Sequence, residues 1–216
     1  METTDAPHAA LRDRYLAALL AGDREAALHT LDEGAVRGVS PPDLAIDVVG
    51  GAQREIGRLW SENRIGIAEE HLATAISQVG LARLYGRGSA PRNGRRVLVA
   101  CVEGELHDMG ARIAGDVLDA AGFGVRMLGA SVPIASLVAM VEQARPDLVA
   151  LSATMTFNLP ALREAAARVR ALPAAPPVIV NASPGDGAAL PDGVVAVGGS
   201  ARELVAAARR LLGVAP

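Results

Sequence analysis

From Val97 to the C-terminus the chain repeats one pattern: a short aliphatic run, then a helix-length amphipathic stretch. The runs are Val97–Cys101, Gly124–Leu128, Leu148–Leu151, Val178–Val180 and Val194–Val197. Helical stretches follow from about Gly110 to Ala121, from Ile134 to Ala144, from about Pro160, and finally through Leu212. Runs this short, interrupted only by Arg126 in the second, suit strands buried on both faces. Their alternation with helices predicts a five-stranded parallel sheet covered by helices on both sides. In such a sheet a ligand sits at the carboxyl ends of the strands, near the topological switch. The loops after strands one, three and four are therefore the places to look for chemistry.

Before this sheet the pattern is different. Leu11, Tyr15, Leu16, Leu19 and Leu20 recur at helical spacing, and Gly22-Asp23 breaks the run. Ala26, Ala27, Leu28 and Leu31 make a second helix, with Gly34 or Gly38 as its stop. Ser40-Pro41-Pro42-Asp43 is a helix start, with Ser as cap and Pro in the first turn. A long stretch with Leu44, Val48, Ile56, Leu59 and Trp60 follows, then a break near Asn63 to Gly66. A fourth helix carries Leu72, Ile76, Val79 and Leu84. Four helices with short connections predict an up-down bundle over residues 1–86. Gly86 to Gly94, rich in Gly, Pro and Arg, reads as the linker, and residues 95–216 as the α/β domain.

Composition narrows the function. Half of the 216 residues are hydrophobic and only five are aromatic, so the core is built from Ala, Leu, Val and Ile. That content excludes a disordered chain, and no apolar run is long enough for a membrane span. The start, Met1 to Leu11, lacks the basic segment of a signal peptide. A net charge of −3 gives no nucleic-acid footprint, and direct DNA binding is not expected. The single cysteine, Cys101, fits a reducing cytoplasm and reads as a small core residue. His8 and His29 sit on polar stretches and are given no role.

The loop after strand one reads Val102-Glu103-Gly104-Glu105-Leu106-His107-Asp108-Met109-Gly110. It sets an imidazole between two carboxylates, just before a helix. A metal-ligating histidine usually donates its second ring N–H to a carboxylate or carbonyl, which fixes its tautomer. Glu105 and Asp108 are the available partners, and Gly110 leaves room for a bulky group. A solvated loop histidine with an incidental carboxylate neighbour is the competing reading. After strand three, Ser152-Ala153-Thr154 supplies two hydroxyls, which also suit a plain helix cap.

Glu-x-His-x-x-Gly at residues 105–110 resembles the Asp-x-His-x-x-Gly signature of cobalamin-binding domains of flavodoxin-like (Rossmann-like) fold, with Glu105 in place of Asp. Gly122-Phe123, Leu128-Gly129, Val132-Pro133 and Ser152-Ala153-Thr154 extend the similarity over nearly the whole chain. Where that family has Gly-Gly after strand four, this chain has Asn181-Ala182-Ser183; Gly198-Gly199 follows strand five instead. The resemblance implies a cobalamin with His107 as lower axial cobalt ligand in place of dimethylbenzimidazole. The displaced nucleotide tail would lie beside Gly110, Ser152 and Thr154.

In the helical half, Trp60 and Glu70-His71 are separated by nine residues. Taken alone, a tryptophan on an amphipathic helix is core and a Glu-His pair is surface. Trp-x9-Glu-His, however, resembles the signature of CarH-type light-sensing cobalamin proteins, in which a helical bundle covers the upper corrin face. The resemblance implies that Trp60 packs on an adenosyl group, Glu70 bonds its ribose hydroxyls and Ile67 lies beside them. It also implies that His71 takes the upper cobalt position after photolysis.

Two function classes follow. The first is an adenosylcobalamin-dependent light sensor, similar to the short AerR-type antirepressors, that acts on a transcription factor or other protein partner. Self-association into a homo-oligomer is a further expectation. The second is a corrinoid carrier subunit of a methyltransferase system; a passive cobalamin store is a third reading, and methyl- and hydroxocobalamin stand beside adenosylcobalamin as forms the protein could bind. The Trp-x9-Glu-His segment is the feature that separates sensor from carrier.

Overall fold

The computed structural model describes residues 5–181 and 190–215. The chain divides into two compact units, Met1–Gly88 and Ser89–Pro216.

The first unit is helical throughout. Helix α1 (Asp5–Leu20) is followed after a tight turn by α2 (Arg24–Val36). The Asp23 side chain caps α2 by accepting from the Ala26 N–H at 2.9 Å. Ser40 then caps α3 (Pro41–Asp43), accepting from the Asp43 N–H at 3.2 Å. The rod continues without a break through a π-helical segment (Leu44–Val49) into α4 (Gly50–Ser61). Helix α5 (Ile67–Leu84) closes the unit, with Glu69 bonding back to the Gly66 N–H at 2.6 Å. The bundle therefore has the four rods expected, the third with a widened turn in it. Its core holds Tyr15, Leu19, Leu31, Leu44, Ile56 and Leu81, all fully buried.

The structure decides one alternative, with Gly38 rather than Gly34 at the end of α2, and one local feature differs from the sequence reading. Gly34 lies inside α2, and the helix ends two residues later at Val36, with Gly38 in the left-handed region (φ +87°). His8 has a partner: its Nδ1 lies 2.8 Å from Asp47 Oδ2, so α1 is tied to the π-helical segment.

The second unit is a five-stranded parallel sheet in the order β2-β1-β3-β4-β5. Its elements are β1 (Arg96–Cys101), α6 (Met109–Ala120), β2 (Gly124–Met127), α7 (Ile134–Ala144), β3 (Leu148–Ser152), α8 (Leu159–Arg170), β4 (Val178–Asn181), β5 (Val194–Val197) and α9 (Ala201–Leu212). Strands β1 and β3 are buried almost end to end, which is why they read as unbroken aliphatic runs. One face packs Leu98, Ala100, Val149, Leu151 and Val180 against α7 and α8. The other packs Val97, Val99, Cys101 and Ile179 against α6 and α9. Cys101 is thus a core residue, and burial pushes its thiol up to about 12, helped by the nearby carboxylates of Asp108 and Glu105.

This strand order is the flavodoxin-like one, and it reverses direction between β1 and β3. The loops leaving those two strands flank the crevice in which such sheets bind ligands. Ahead of β1, residues 90–93 lie against the end of α6. The Ala90 N–H donates to the Ala120 carbonyl at 2.8 Å and the Asn93 N–H to the Gly122 carbonyl at 2.9 Å. Arg92 donates to the Asp119 carboxylate and the Phe123 carbonyl, both at 2.6 Å.

A carboxylate and imidazole at the switch point

The loop after β1 is built around Glu105, whose side chain is 0% exposed although the loop itself lies at the surface. Gly104 precedes it at φ +84°, a backbone that favours glycine, and a Cβ there would sit 3.1 Å from Asn158 Oδ1. The Gly104 N–H donates to Ser131 Oγ at 3.1 Å, and the Ser131 N–H to the Glu105 carbonyl at 2.9 Å. The neighbouring Glu103 carboxylate accepts from the Ile134 N–H at 3.2 Å, at the start of α7. The loops after β1 and β2 therefore hold one another.

Inside this frame both oxygens of Glu105 are used. Oε1 accepts from the His107 N–H at 2.8 Å and from His107 Nδ1 at 2.6 Å. Oε2 accepts from the Thr154 N–H at 2.8 Å, the Met155 N–H at 3.0 Å and Asn158 Nδ2 at 3.0 Å. Burial alone would raise the Glu105 carboxyl. The donors from Met155, Asn158 and His107 outweigh it and hold the group at about 2. It is an anion at any physiological pH.

The consequence for His107 is a fixed tautomer. With Nδ1–H donated to a buried carboxylate, Nε2 keeps its lone pair, and the ring is 49% exposed. Nε2 has no hydrogen-bond partner among the described residues. This is the donor arrangement of a metal-ligating histidine, and it fits an axial cobalt ligand. A Cβ on Gly110 would meet nothing within 4 Å, which keeps open the entry to α6. Leu106, next to His107 in sequence, and Phe157, in the turn after β3, are both exposed apolar side chains.

The other residues singled out by the sequence divide clearly. Asp108 sits at the N-terminus of α6 and is not the partner of His107; Glu105 is. Ser152 is buried at the end of β3, whereas Thr154 is exposed and contributes its backbone N–H to Glu105. Asn158 was not expected, and it is the only side-chain amide on that carboxylate. Its signal is weak, because an Asn before Leu-Pro reads as a helix cap. Asn181 ends β4; Ala182 and Ser183 lie outside the described residues.

In the helical unit, Trp60 is exposed near the end of α4 and Ile67 is exposed at the start of α5. Glu70 and His71 follow in the first turn of α5, with His71 Nδ1 at 2.5 Å from Glu70 Oε2. Among the described residues no cluster of three or more His, Cys, Asp or Glu could hold a metal ion.

Residues 95–209 match the family model described as "B12 binding domain", and residues 11–85 match a second model of the same description. The chain belongs to the B12-binding family. The HTH-type transcriptional repressor CarH of Myxococcus xanthus is 33% identical over 178 residues, 81% of this chain and 58% of that protein. Dimethylamine corrinoid protein 1 of Methanosarcina acetivorans is 29% identical over 129 residues, 58% of this chain and 61% of that protein. The chain spans less than two thirds of the length of either relative. The structure of the Methanosarcina barkeri monomethylamine corrinoid protein superposes with a TM-score of 0.77 at 18% identity, covering 96% of this chain and 99% of that one. The B12-binding fold, a helical unit followed by a flavodoxin-like parallel sheet, is thus the one adopted here. No described helix is long and apolar enough to cross a membrane.

Proposed function

We propose that this B12-binding protein is a light-responsive, adenosylcobalamin-dependent regulator that acts through a protein partner. The observation that carries the cobalamin part is the Glu105–His107 pair. A buried anion locks Nδ1, leaving Nε2 to serve as the lower axial ligand. Gly110, Ser152 and Thr154 would flank the nucleotide tail. A bound adenosylcobalamin supplies a cobalt–carbon bond that visible light can break.

Trp60, Ile67, Glu70 and His71 support the regulatory part. An indole offers flat stacking area at low entropic cost, and a carboxylate accepts from ribose hydroxyls. Trp60 and Glu70 are both accessible enough to meet a ligand. Similarity to a transcriptional repressor over most of the chain favours regulation. Similarity to a dimethylamine corrinoid protein supports a second reading, a carrier that exchanges a methyl group with methyltransferases.

The test is reconstitution with adenosyl-, methyl- and hydroxocobalamin, recording visible spectra in the dark and after illumination. The regulator reading expects preferential binding of adenosylcobalamin and a light-driven change in spectrum and in size or partner affinity. Methyl transfer to a methyltransferase, with no preference among the three forms, would favour the carrier. His107→Ala should shift the bound spectrum toward a base-on or five-coordinate form and weaken binding. An unchanged spectrum and affinity would remove His107 from the site.

A further inference from the structure

Glu70 does not stand alone on the surface of the bundle. Thr74, one helical turn further along α5, places its Oγ1 2.9 Å from Glu70 Oε1. The same hydroxyl lies 3.2 Å from Gln53 Oε1, on α4. Gln53 in turn donates from Nε2 to Ser77 Oγ at 2.7 Å and to the Ala73 carbonyl at 3.2 Å. Ser77 Oγ also accepts from the hydroxyl of fully buried Tyr15 at 3.2 Å. Helix α5 comes this close because residue 80 is glycine: a Cβ there would lie 3.0 Å from the Tyr15 oxygen and 2.9 Å from Leu31. A polar chain therefore runs from the middle of the bundle to the accessible carboxylate.

Thr74 has one hydroxyl proton and two acceptors for it. Glu70 Oε1 is the nearer and carries charge, so it takes the proton. Among the described residues the outer oxygen, Oε2, meets only the exposed ring of His71. One carboxylate oxygen is thus anchored to the bundle and the other is presented. A glutamate held this way loses its rotamer freedom before a ligand arrives, which lowers the ordering cost of binding. Gln53 Oε1, fixed by its own amide bonds, remains as the second acceptor to which the Thr74 proton can turn.

We infer that Thr74, backed by Gln53, is a positioning residue that orients Glu70 and so sets selectivity for an upper axial group bearing hydroxyls. The inference rests on the proposed contact of Glu70 with the adenosyl ribose. The experiment measures dark affinities for adenosyl-, methyl- and hydroxocobalamin in wild type, Thr74→Val, Thr74→Ser and Glu70→Gln. Thermal melting is recorded for each variant. Thr74→Val, which keeps the shape and removes the hydroxyl, should cut the adenosyl-over-hydroxo preference about ten-fold, the scale of one lost hydrogen bond. Its methylcobalamin affinity should stay at the wild-type value. Thr74→Ser should restore the preference. If Glu70→Gln loses the preference and Thr74→Val keeps it, the positioning role is overturned while the Glu70 contact stands. If Glu70→Gln also keeps it, the Glu70 contact fails and the inference falls with it. Equal weakening toward all three cobalamins in Thr74→Val would mark Thr74 as merely structural; should Thr74→Val melt early, Thr74→Ala replaces it in the same comparison.

Discussion

The chain contains two Glu–His pairs of nearly equal length, 2.6 Å for Glu105–His107 and 2.5 Å for Glu70–His71, in opposite settings. Glu105 is fully buried and collects donors from its own loop, from the turn after β3 and from Asn158. Glu70 keeps 22% of its side chain exposed and its histidine 71%, and its partners lie within one turn of the same helix. The difference shows that a short contact does not by itself make a rigid one. Rigidity comes from desolvation and from donors brought in by several segments of the chain. The first pair is suited to present an imidazole in one orientation; in the second, Thr74 anchors one oxygen of Glu70 while the exposed His71 ring is the member that can change partner.

The sharpest way to break this contrast is to remove each carboxylate. Glu105→Ala leaves the Thr154 and Met155 N–H groups and the Asn158 amide without their acceptor. The expected cost is about 3–5 kcal/mol of unfolding free energy in urea. Glu70→Ala should cost no more than about 1 kcal/mol, because its ion pair is largely solvated. Equal costs would mean that the two sites differ only in appearance.

Acid titration gives the next largest effect. The Glu105 carboxyl is held at about 2, below its ordinary value of 4.5. A depressed folded value means the stabilisation is complete above about pH 4.5 and is lost as pH falls toward 2. The amount is on the order of 3 kcal/mol. Urea melts across that window should show a larger loss in wild type than in Glu105→Ala, the difference being the Glu105 contribution; parallel curves would contradict the assignment.

Much of this was readable in the sequence, and the exceptions have a common cause. Aliphatic runs predicted all five strands, and Ser40-Pro41 announced a helix that does begin there. Glu-x-His-x-x-Gly located the imidazole and narrowed its partner to Glu105 or Asp108, both within two residues of it, and the structure selects Glu105. Asn158 escaped notice because it is 53 residues from the carboxylate it serves. His8 likewise meets Asp47 across 39 residues, and no local pattern announces it. The π-helical segment is equally silent, since Leu44 to Val49 keep an ordinary apolar helix pattern. Periodicity records which face is buried; it does not record which distant polar atom will arrive there.

Two smaller effects sharpen the contrast from the imidazole side. His107→Ala should change stability by less than about 1 kcal/mol, because the ring is half exposed and Glu105 keeps its other donors. A large destabilisation would show that the ring supports the loop, and any binding defect would then be indirect. His71→Ala should have the least effect in the dark, with melting and cobalamin affinity near wild type. After illumination its final spectrum should differ from that of wild type. An identical photoproduct and assembly state would remove His71 from the upper position.

The segment at 90–93 has a consequence for how the polypeptide can be divided. Arg92 satisfies the Asp119 carboxylate and the Phe123 carbonyl, and Ala90 and Asn93 complete the turn between α6 and β2. Gly86 and Gly88, both at positive φ, precede these bonds, and the contact boundary falls directly after them. A protease cut at Gly86–Gly88 would leave the anchoring contacts of residues 90–93 intact. A cut only a few residues later, after Gly94, would detach from β1 the segment whose arginine satisfies Asp119, so the turn between α6 and β2 would lose a partner held in place by the chain.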